Sequence, residues 1–326
     1  MRIPEKMKAA VLYDFNDVRL EERPVPTPGP GEALVKIEAC GVCAGDIKII
    51  TLGMPKQPPM GEFIIGHEYA GTIAALGETV DEFKIGDRVV VEVHKGCGRC
   101  RNCIMGKYTV CLNYGNSAKG HRANGFTTNG GFAEYAVNHV NTLIKLPDTI
   151  SIDEATTITT AGTSLYGIDM AGGYIPGDTV AVLGPGSIGL MAIQCSKALG
   201  AGQVILTGTR DNRLALGKKL GADVGVNVKE GDPVQKVKAL TGGRGADFVL
   251  VASGQEASLQ QALEMTRKGG DITILAHFEK PVMTDIGLAV KNGINLYTVR
   301  GEGRMSCHRA LSLMEEGKIN GKALIT

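Results

Sequence analysis

Four cysteines stand close together in the chain, Cys97, Cys100, Cys103 and Cys111, in the spacing C-x2-C-x2-C-x7-C. Four thiolates this near in sequence can surround one zinc ion tetrahedrally, and the short steps make tight loops whose backbone amides can point at sulfur. A closed site of this kind fixes loops and does no chemistry. A second constellation comes earlier: Cys40-Gly-Val-Cys43-Ala-Gly-Asp46, then Gly66-His67-Glu68. Taken alone, Cys40 and Cys43 read as a redox C-x-x-C pair and His67 as a satisfied loop histidine. A third motif, Gly184-Pro-Gly186-Ser187-Ile188-Gly189, fits G-x-G-x-x-G. An apolar run precedes it and a helical pattern with Leu190, Ile193 and Ala198 follows, the context in which this motif holds a dinucleotide. Gly184 permits the turn, Gly186 lets backbone approach a pyrophosphate, and Gly189 lets the helix pack on the strand. The helix N-terminus then offers N–H groups to the phosphates.

The end of the next strand bears on the choice of cofactor. NAD binders place an Asp or Glu there for the ribose 2′-hydroxyl. Here the strand ends Leu206-Thr207-Gly208-Thr209-Arg210, with no acid. A small Gly208, the Thr209 hydroxyl and the Arg210 guanidinium suit a 2′-phosphate, which favours NADP over NAD. If Arg210 is only a solvated helix-start residue and Asp211 an N-cap, NAD stays open.

These residues need elements to hold them. The first half carries short alternating or β-branched runs at residues 33–39, 71–76 and 87–93, separated by turn clusters at 24–31 and 84–87. Residues 97–131 read as loop. The second half alternates strands (179–183, 203–207, 246–251, 271–275) with helices (187–199, 211–220, 257–265), which implies right-handed βαβ units and a parallel sheet. The expected fold class is α/β, a β-rich domain joined near Pro147-Asp148 to a doubly wound Rossmann domain.

Composition narrows the function classes. At 326 residues, two domains are expected. A formal charge of +1 argues against a nucleic-acid partner or a polybasic membrane surface. The absence of Trp weakens any stacking role. Glycine is in excess, 45 residues against a usual share of ~7%, with no G-X-Y period, so it marks turns and close approaches rather than collagen. The charge-free stretch 179–196 is broken by Gly184-Pro185-Gly186 and makes a poor membrane span. The charged start, residues 1–6, has no apolar core of a secretion signal. A cytoplasmic protein is expected, with clustered cysteines acting as ligands rather than disulfides.

Taken together, the chain resembles the zinc-dependent medium-chain alcohol dehydrogenase family over nearly its whole length. The resemblance rests on Met7-Lys-Ala-Ala, Gly41-Val-Cys43, Gly66-His67-Glu68, Gly86-Asp-Arg-Val89, the four-cysteine lobe, Gly130-Gly-Phe-Ala-Glu-Tyr135 and the Rossmann turn. It is nearest to the polyol and secondary-alcohol branch with sorbitol and threonine dehydrogenases. It implies a GroES-like catalytic domain at 1–147 plus 304–326 and a Rossmann domain at 148–303. It also implies a second, catalytic zinc on Cys43 and His67, with Glu68 either a ligand or an adjacent charge and Asp46 orienting His67. Cys40 would be a structural neighbour. Zinc would act as a Lewis acid on the oxygen of a small alcohol or carbonyl substrate while a hydride moves to or from the nicotinamide. Ala252-Ser253 and Val299-Arg300 resemble the family's nicotinamide-side contacts, or are turn residues.

Two departures stand out. Ala161 occupies the place of a further zinc ligand, leaving Glu68 or water to complete the site. Gly45 replaces the Ser or Thr of the proton relay, with Thr160 a candidate hydroxyl. In the loop 113–129, Lys119, His121 and Arg122 read as solvated charges rather than substrate contacts. A zinc-independent quinone or enone reductase and a non-catalytic nucleotide-binding protein are the competing readings. The strand at 295–299 looks like the sheet edge that pairs copies into a homodimer or homotetramer. Relative to the family, the chain is expected to be short at its C-terminus.

Overall fold

Strands β1 (Lys6–Asp14) and β2 (Asp17–Pro24) make an antiparallel hairpin. Its tight turn is taken by Asn16 with a left-handed φ of 61°. Asparagine tolerates that region better than other side chains. The chain continues through β3 (Glu32–Gly41), helix α1 (Ala44–Leu52), β4 (Phe63–Ile64), β5 (Glu68–Leu76), β6 (Arg88–Val91) and β7 (His94–Lys95). After α2 (Arg101–Ile104) come β8 (Arg122–Ala123), β9 (Tyr135–His139), β10 (Leu143–Lys145) and α3 (Ile152–Ala155). The main sheet has the order β10-β6-β5-β3-β9, and β2-β1-β4 form a smaller one. Val35, Tyr69, Ile73, Val89, Val91 and Leu143 fill the core on one side of the main sheet. Each such side chain removed from water contributes about 1.5–3 kcal/mol. Tyr69 is fully buried and satisfies its hydroxyl on Asn138, at 2.6 Å.

The second unit begins in α4 (Ile158–Met170) and proceeds β11 (Thr179–Leu183), α5 (Ser187–Ala198), β12 (Gln203–Gly208), α6 (Asp211–Lys219) and β13 (Val224–Asn227). It continues with α7 (Pro233–Leu240), β14 (Ala246–Val251), α8 (Ala257–Met265), β15 (Thr266–Ile274), α9 (Ile286–Asn292), β16 (Asn295–Thr298) and α10 (Arg304–Glu315). Its six strands run parallel in the order β13-β12-β11-β14-β15-β16. Every residue of β11 and β14 is buried, as central strands covered on both faces require. The sheet reverses direction of growth at β11, the switch point where dinucleotides bind in such folds.

This is a computed structural model, and it describes residues 2–325. The two compact units meet in sequence at Thr159 and Thr160. They differ from the expected boundaries in two places. Residues 148–159 lie with the β-rich unit, because α3 packs on β3 and β5. Residues 304–324 lie with the Rossmann unit instead of returning to the first. The cause is α10: it presses buried Cys307 toward Gly162 of α4, while Arg309 and Ser306 reach Asp169 at 2.6 and 3.1 Å. Thr326, the end on which the expected shortness turns, lies outside the described residues, as does Met1. The helix expected at 211–220 forms as α6, but between α6 and β14 two elements appear that the pattern of residues did not announce. There β13 is a short, half-buried edge strand of mixed polarity, and α7 starts from an Asp232 cap with Pro233 at its first position.

Candidate functional site

Cys43 is the N-cap of α1. Asp46, three residues on, turns back so that its Oδ2 accepts the Cys43 N–H at 2.8 Å, the reciprocal arrangement of a capping box. The same carboxylate places Oδ1 3.0 Å from Nδ1 of His67. Asp46 is fully buried and His67 is 6% exposed. His67 sits just ahead of β5. Pairing of β5 with β3 sets Glu68 opposite Gly41, which brings the segment after β3 and the start of β5 side by side. Gly66 has a φ of 95°, and a Cβ there would lie 2.7 Å from the Phe132 ring. Glycine is required at that position both for conformation and for space.

Cys43 Sγ, a His67 ring nitrogen and a Glu68 carboxylate oxygen all lie within 4.8 Å of one another. One thiol, one imidazole and one carboxylate are a zinc donor set, and three protein ligands leave a fourth position for water or substrate. Burial alone would lower the His67 pKa, but the hydrogen bonds to Asp46 and Cys43 outweigh it and hold the value well above 6.5. Cys40 is not drawn into this group. Its thiol faces the Gly41 carbonyl at 3.6 Å, and burial raises its pKa, which suits packing rather than redox exchange. Ala161 is fully buried in α4 and brings no ligand atom. A Cβ on Gly45 would stand 3.2 Å from His67 Cε1 and 3.8 Å from Cys43 Sγ, so a glycine here lets the turn at the start of α1 lie close against the His67 ring.

The four-cysteine lobe gathers as its spacing requires. The thiols of Cys97, Cys100, Cys103 and Cys111 lie within 4.8 Å of one another, with Sγ–Sγ separations of 3.4, 3.9 and 4.0 Å. A tetrahedron with Zn–S bonds of ~2.3 Å has edges of roughly 3.8 Å, so the group fits a closed zinc site. Asn113 donates its amide N–H to Cys111 Sγ at 3.3 Å and its side-chain Nδ2 to Cys97 Sγ at 3.2 Å. The Asn113 bond is the main cause pulling the Cys97 pKa down to about 5. The loop spacing gave no sign of Asn113. Beyond it, Lys119 is exposed as expected, but two of its neighbours are not solvated. His121 is buried and accepts the Gly115 N–H at 3.0 Å, and Arg122 is ion-paired with Glu32. His94 is buried and stacks on Phe126 at 6.4 Å.

At the Rossmann turn Gly186 caps α5 with no side-chain bond, and a Cβ there would meet nothing within 4 Å. No side chain therefore stands over the first turn, Ser187-Ile188-Gly189, whose free N–H groups are of the kind that bind anions at helix N-termini. Gly189 is fixed by close approach: its Cβ would fall 1.9 Å from the Gly184 carbonyl oxygen. Gly208 ends β12 against the Pro185 ring, where a Cβ would lie 2.7 Å from Cδ. Thr209 and Arg210 are exposed beyond it. Arg210, not Asp211, takes the N-cap position of α6, without a side-chain cap bond, while Asp211 accepts Asn227 Nδ2 at 2.7 Å. Ala252-Ser253 and Val299-Arg300 follow the C-terminal ends of β14 and β16, the ligand-binding side of a parallel sheet. Thr160 is buried in α4, its carbonyl bonded to the Ser164 hydroxyl at 3.1 Å. Of the remaining cysteines, Cys195 and Cys307 are buried inside the second unit.

Comparison with known proteins agrees with both halves. Residues 29–148 match the alcohol dehydrogenase GroES-like domain, and residues 187–316 match the zinc-binding dehydrogenase domain. Sorbitol dehydrogenase of Bacillus subtilis is 32% identical, over 99% of this chain and 90% of its own length. L-threonine 3-dehydrogenase of Bacillus velezensis is 32% identical, over 98% and 91%. The crystal structure of a zinc-binding dehydrogenase from Sinorhizobium meliloti bound to NADP superposes with a TM-score of 0.89 at 28% identity, covering 97% of this chain and 90% of that one. The chain belongs to the zinc-dependent medium-chain alcohol dehydrogenase family, in its sorbitol and threonine dehydrogenase branch. It is an NAD(P)-dependent alcohol dehydrogenase. Among the described residues no helix is long and apolar enough to cross a membrane.

Proposed function

We propose that the protein oxidises a secondary alcohol or polyol, reversibly, with Cys43, His67 and Glu68 holding a catalytic zinc and the four-cysteine lobe a structural one. The observation that carries this reading is the buried Asp46 carboxylate, which holds the Cys43 backbone at 2.8 Å and the His67 ring at 3.0 Å. A metal-binding histidine needs such a partner to fix its tautomer and direction. When bound, zinc there supplies Lewis acidity toward the alcohol or carbonyl oxygen, and the dinucleotide supplies the hydride acceptor or donor. Glu68 completes the protein ligands in place of the residue lost at Ala161. The Thr160 hydroxyl is proposed to pass the alcohol proton onward in place of the hydroxyl lost at Gly45.

On the cofactor side, Gly184, Gly186 and Gly189 shape the turn, and the N–H groups of Ser187, Ile188 and Gly189 hold the pyrophosphate. Gly208, Thr209 and Arg210 favour the 2′-phosphate of NADP. Ala252, Ser253, Val299 and Arg300 frame the nicotinamide. The enzyme is proposed to work in the cytoplasm as a homodimer or homotetramer paired along β16. The test is a panel of secondary alcohols, polyols and their carbonyls, assayed with NADP⁺ and NAD⁺ side by side. Zinc-dependent turnover of at least one alcohol, faster with NADP⁺, supports the reading. Turnover confined to quinones or enones and insensitive to chelation would replace it.

A further inference from the structure

Asn113 stands between the four-cysteine cluster and the ring of Tyr114 in the chain. Its backbone and side chain donate to Cys111 and Cys97, at 3.3 and 3.2 Å. A zinc ion on four thiolates carries net negative charge, so N–H donors to sulfur both stabilise the site and fix its orientation. The next residue, Tyr114, belongs to a run of rings that leads to the catalytic histidine. Its ring lies 4.5 Å from His121 and 6.4 Å from His94. His94 stacks on Phe126 at 6.4 Å, and Phe126 lies 4.5 Å from His67. The run is held from the outside as well. Lys56 Nζ donates to the Tyr114 carbonyl at 2.7 Å, tying the turn after α1 to this loop.

We propose that Asn113 is a positioning residue that ties the four-cysteine cluster to the aromatic wall beside His67, so that the cluster sets how tightly an alcohol substrate is held. The substrate part of this rests on the proposed catalytic role of Cys43 and His67; the bonds from Asn113 to the cluster do not. A closed zinc site at a distance from the reacting atoms then affects KM rather than the chemical step.

The experiment compares Asn113→Ala, the isosteric Asn113→Asp and Tyr114→Leu in the holoenzyme. Three quantities are read: zinc release into a chromogenic chelator, the thiolate-to-metal absorption band after cobalt substitution, and kcat and KM for a polyol. A residue that only fills space tolerates Asp; a donor to thiolates does not. Zinc release is expected to quicken about tenfold in Asn113→Ala and more in Asn113→Asp, with a shifted cobalt band. KM should rise at least threefold in both, with kcat within twofold. Tyr114→Leu should raise KM alike while leaving release and the band unchanged, and it decides the matter if the Asn113 variants do not fold. Unchanged release and band in Asn113→Asp overturn the proposal, as does an unchanged KM in Asn113→Ala or Tyr114→Leu. Full turnover in Cys43→Ser would instead fault the catalytic reading and leave the release measurement standing.

Discussion

Asp46 and His67 are joined side chain to side chain at 3.0 Å, and both are buried. The carboxylate also holds the Cys43 N–H, so one side chain positions two of the three proposed zinc ligands. Asp46→Asn keeps the shape and removes the charge. It is expected to lower zinc affinity at this site by about 10–100-fold, read by competition with a chelator of known affinity, with kcat falling in parallel. Unchanged affinity would mean that the pair serves packing alone.

Cofactor choice is tested at Arg210. A charge-assisted hydrogen bond contributes about 1.5–3 kcal/mol, so Arg210→Ala should raise the KM for NADP⁺ by roughly 10–100-fold. The KM for NAD⁺ should stay within twofold. Equal effects on both cofactors would leave Arg210 as a helix-start residue without a 2′-phosphate to bind.

Gly189 faces the Gly184 carbonyl so closely that a Cβ would stand 1.9 Å from the oxygen. Gly189→Ala must push α5 away from β11. The expected cost is about 1–3 kcal/mol, seen as a lower melting temperature, with dinucleotide binding weakened at least tenfold in a fluorescence titration. Wild-type binding would show that the turn does not carry the pyrophosphate.

Legibility followed the physics of each part. The central strands β11 and β14 were readable because burial on both faces demands continuous apolar runs. The cysteine lobe was readable because its ligands are neighbours in sequence. Asp46 was found only through family resemblance, since nothing local says that a carboxylate capping α1 also reaches His67, 21 positions away. The edge strand β13 escaped because it is only four residues long, with Gly225 between its two valines. The place of α10 escaped because its ties to α4, Arg309 to Asp169 among them, join residues 140 positions apart. Asn113 escaped because a loop asparagine is recognisable as a thiolate donor only once the sulfurs are in place.

Stability of the second unit should depend on acid pH through Asp247. Burial opposes its ionisation, but Arg244, the Thr179 N–H and Arg267 together hold its pKa at about 2, below the ordinary 3.8. A lowered carboxylate pKa gives stability that is complete above about pH 4 and lost as pH falls toward 2. With Arg244 half exposed, the contribution is about 1–2 kcal/mol. Asp247→Asn should melt below wild type at pH 7, and the gap should close between pH 4 and pH 2. A gap independent of pH would assign the loss to packing.

The central claim is that Cys43 and His67 bind a catalytic zinc distinct from the four-cysteine site. The most direct measurement is zinc content together with alcohol oxidation in Cys43→Ser and His67→Ala. Two ligand groups are present among the described residues, so zinc should fall from two ions per chain to one. Turnover should drop at least about a hundredfold while dinucleotide affinity stays at the wild-type value. Full turnover in either variant would contradict the account.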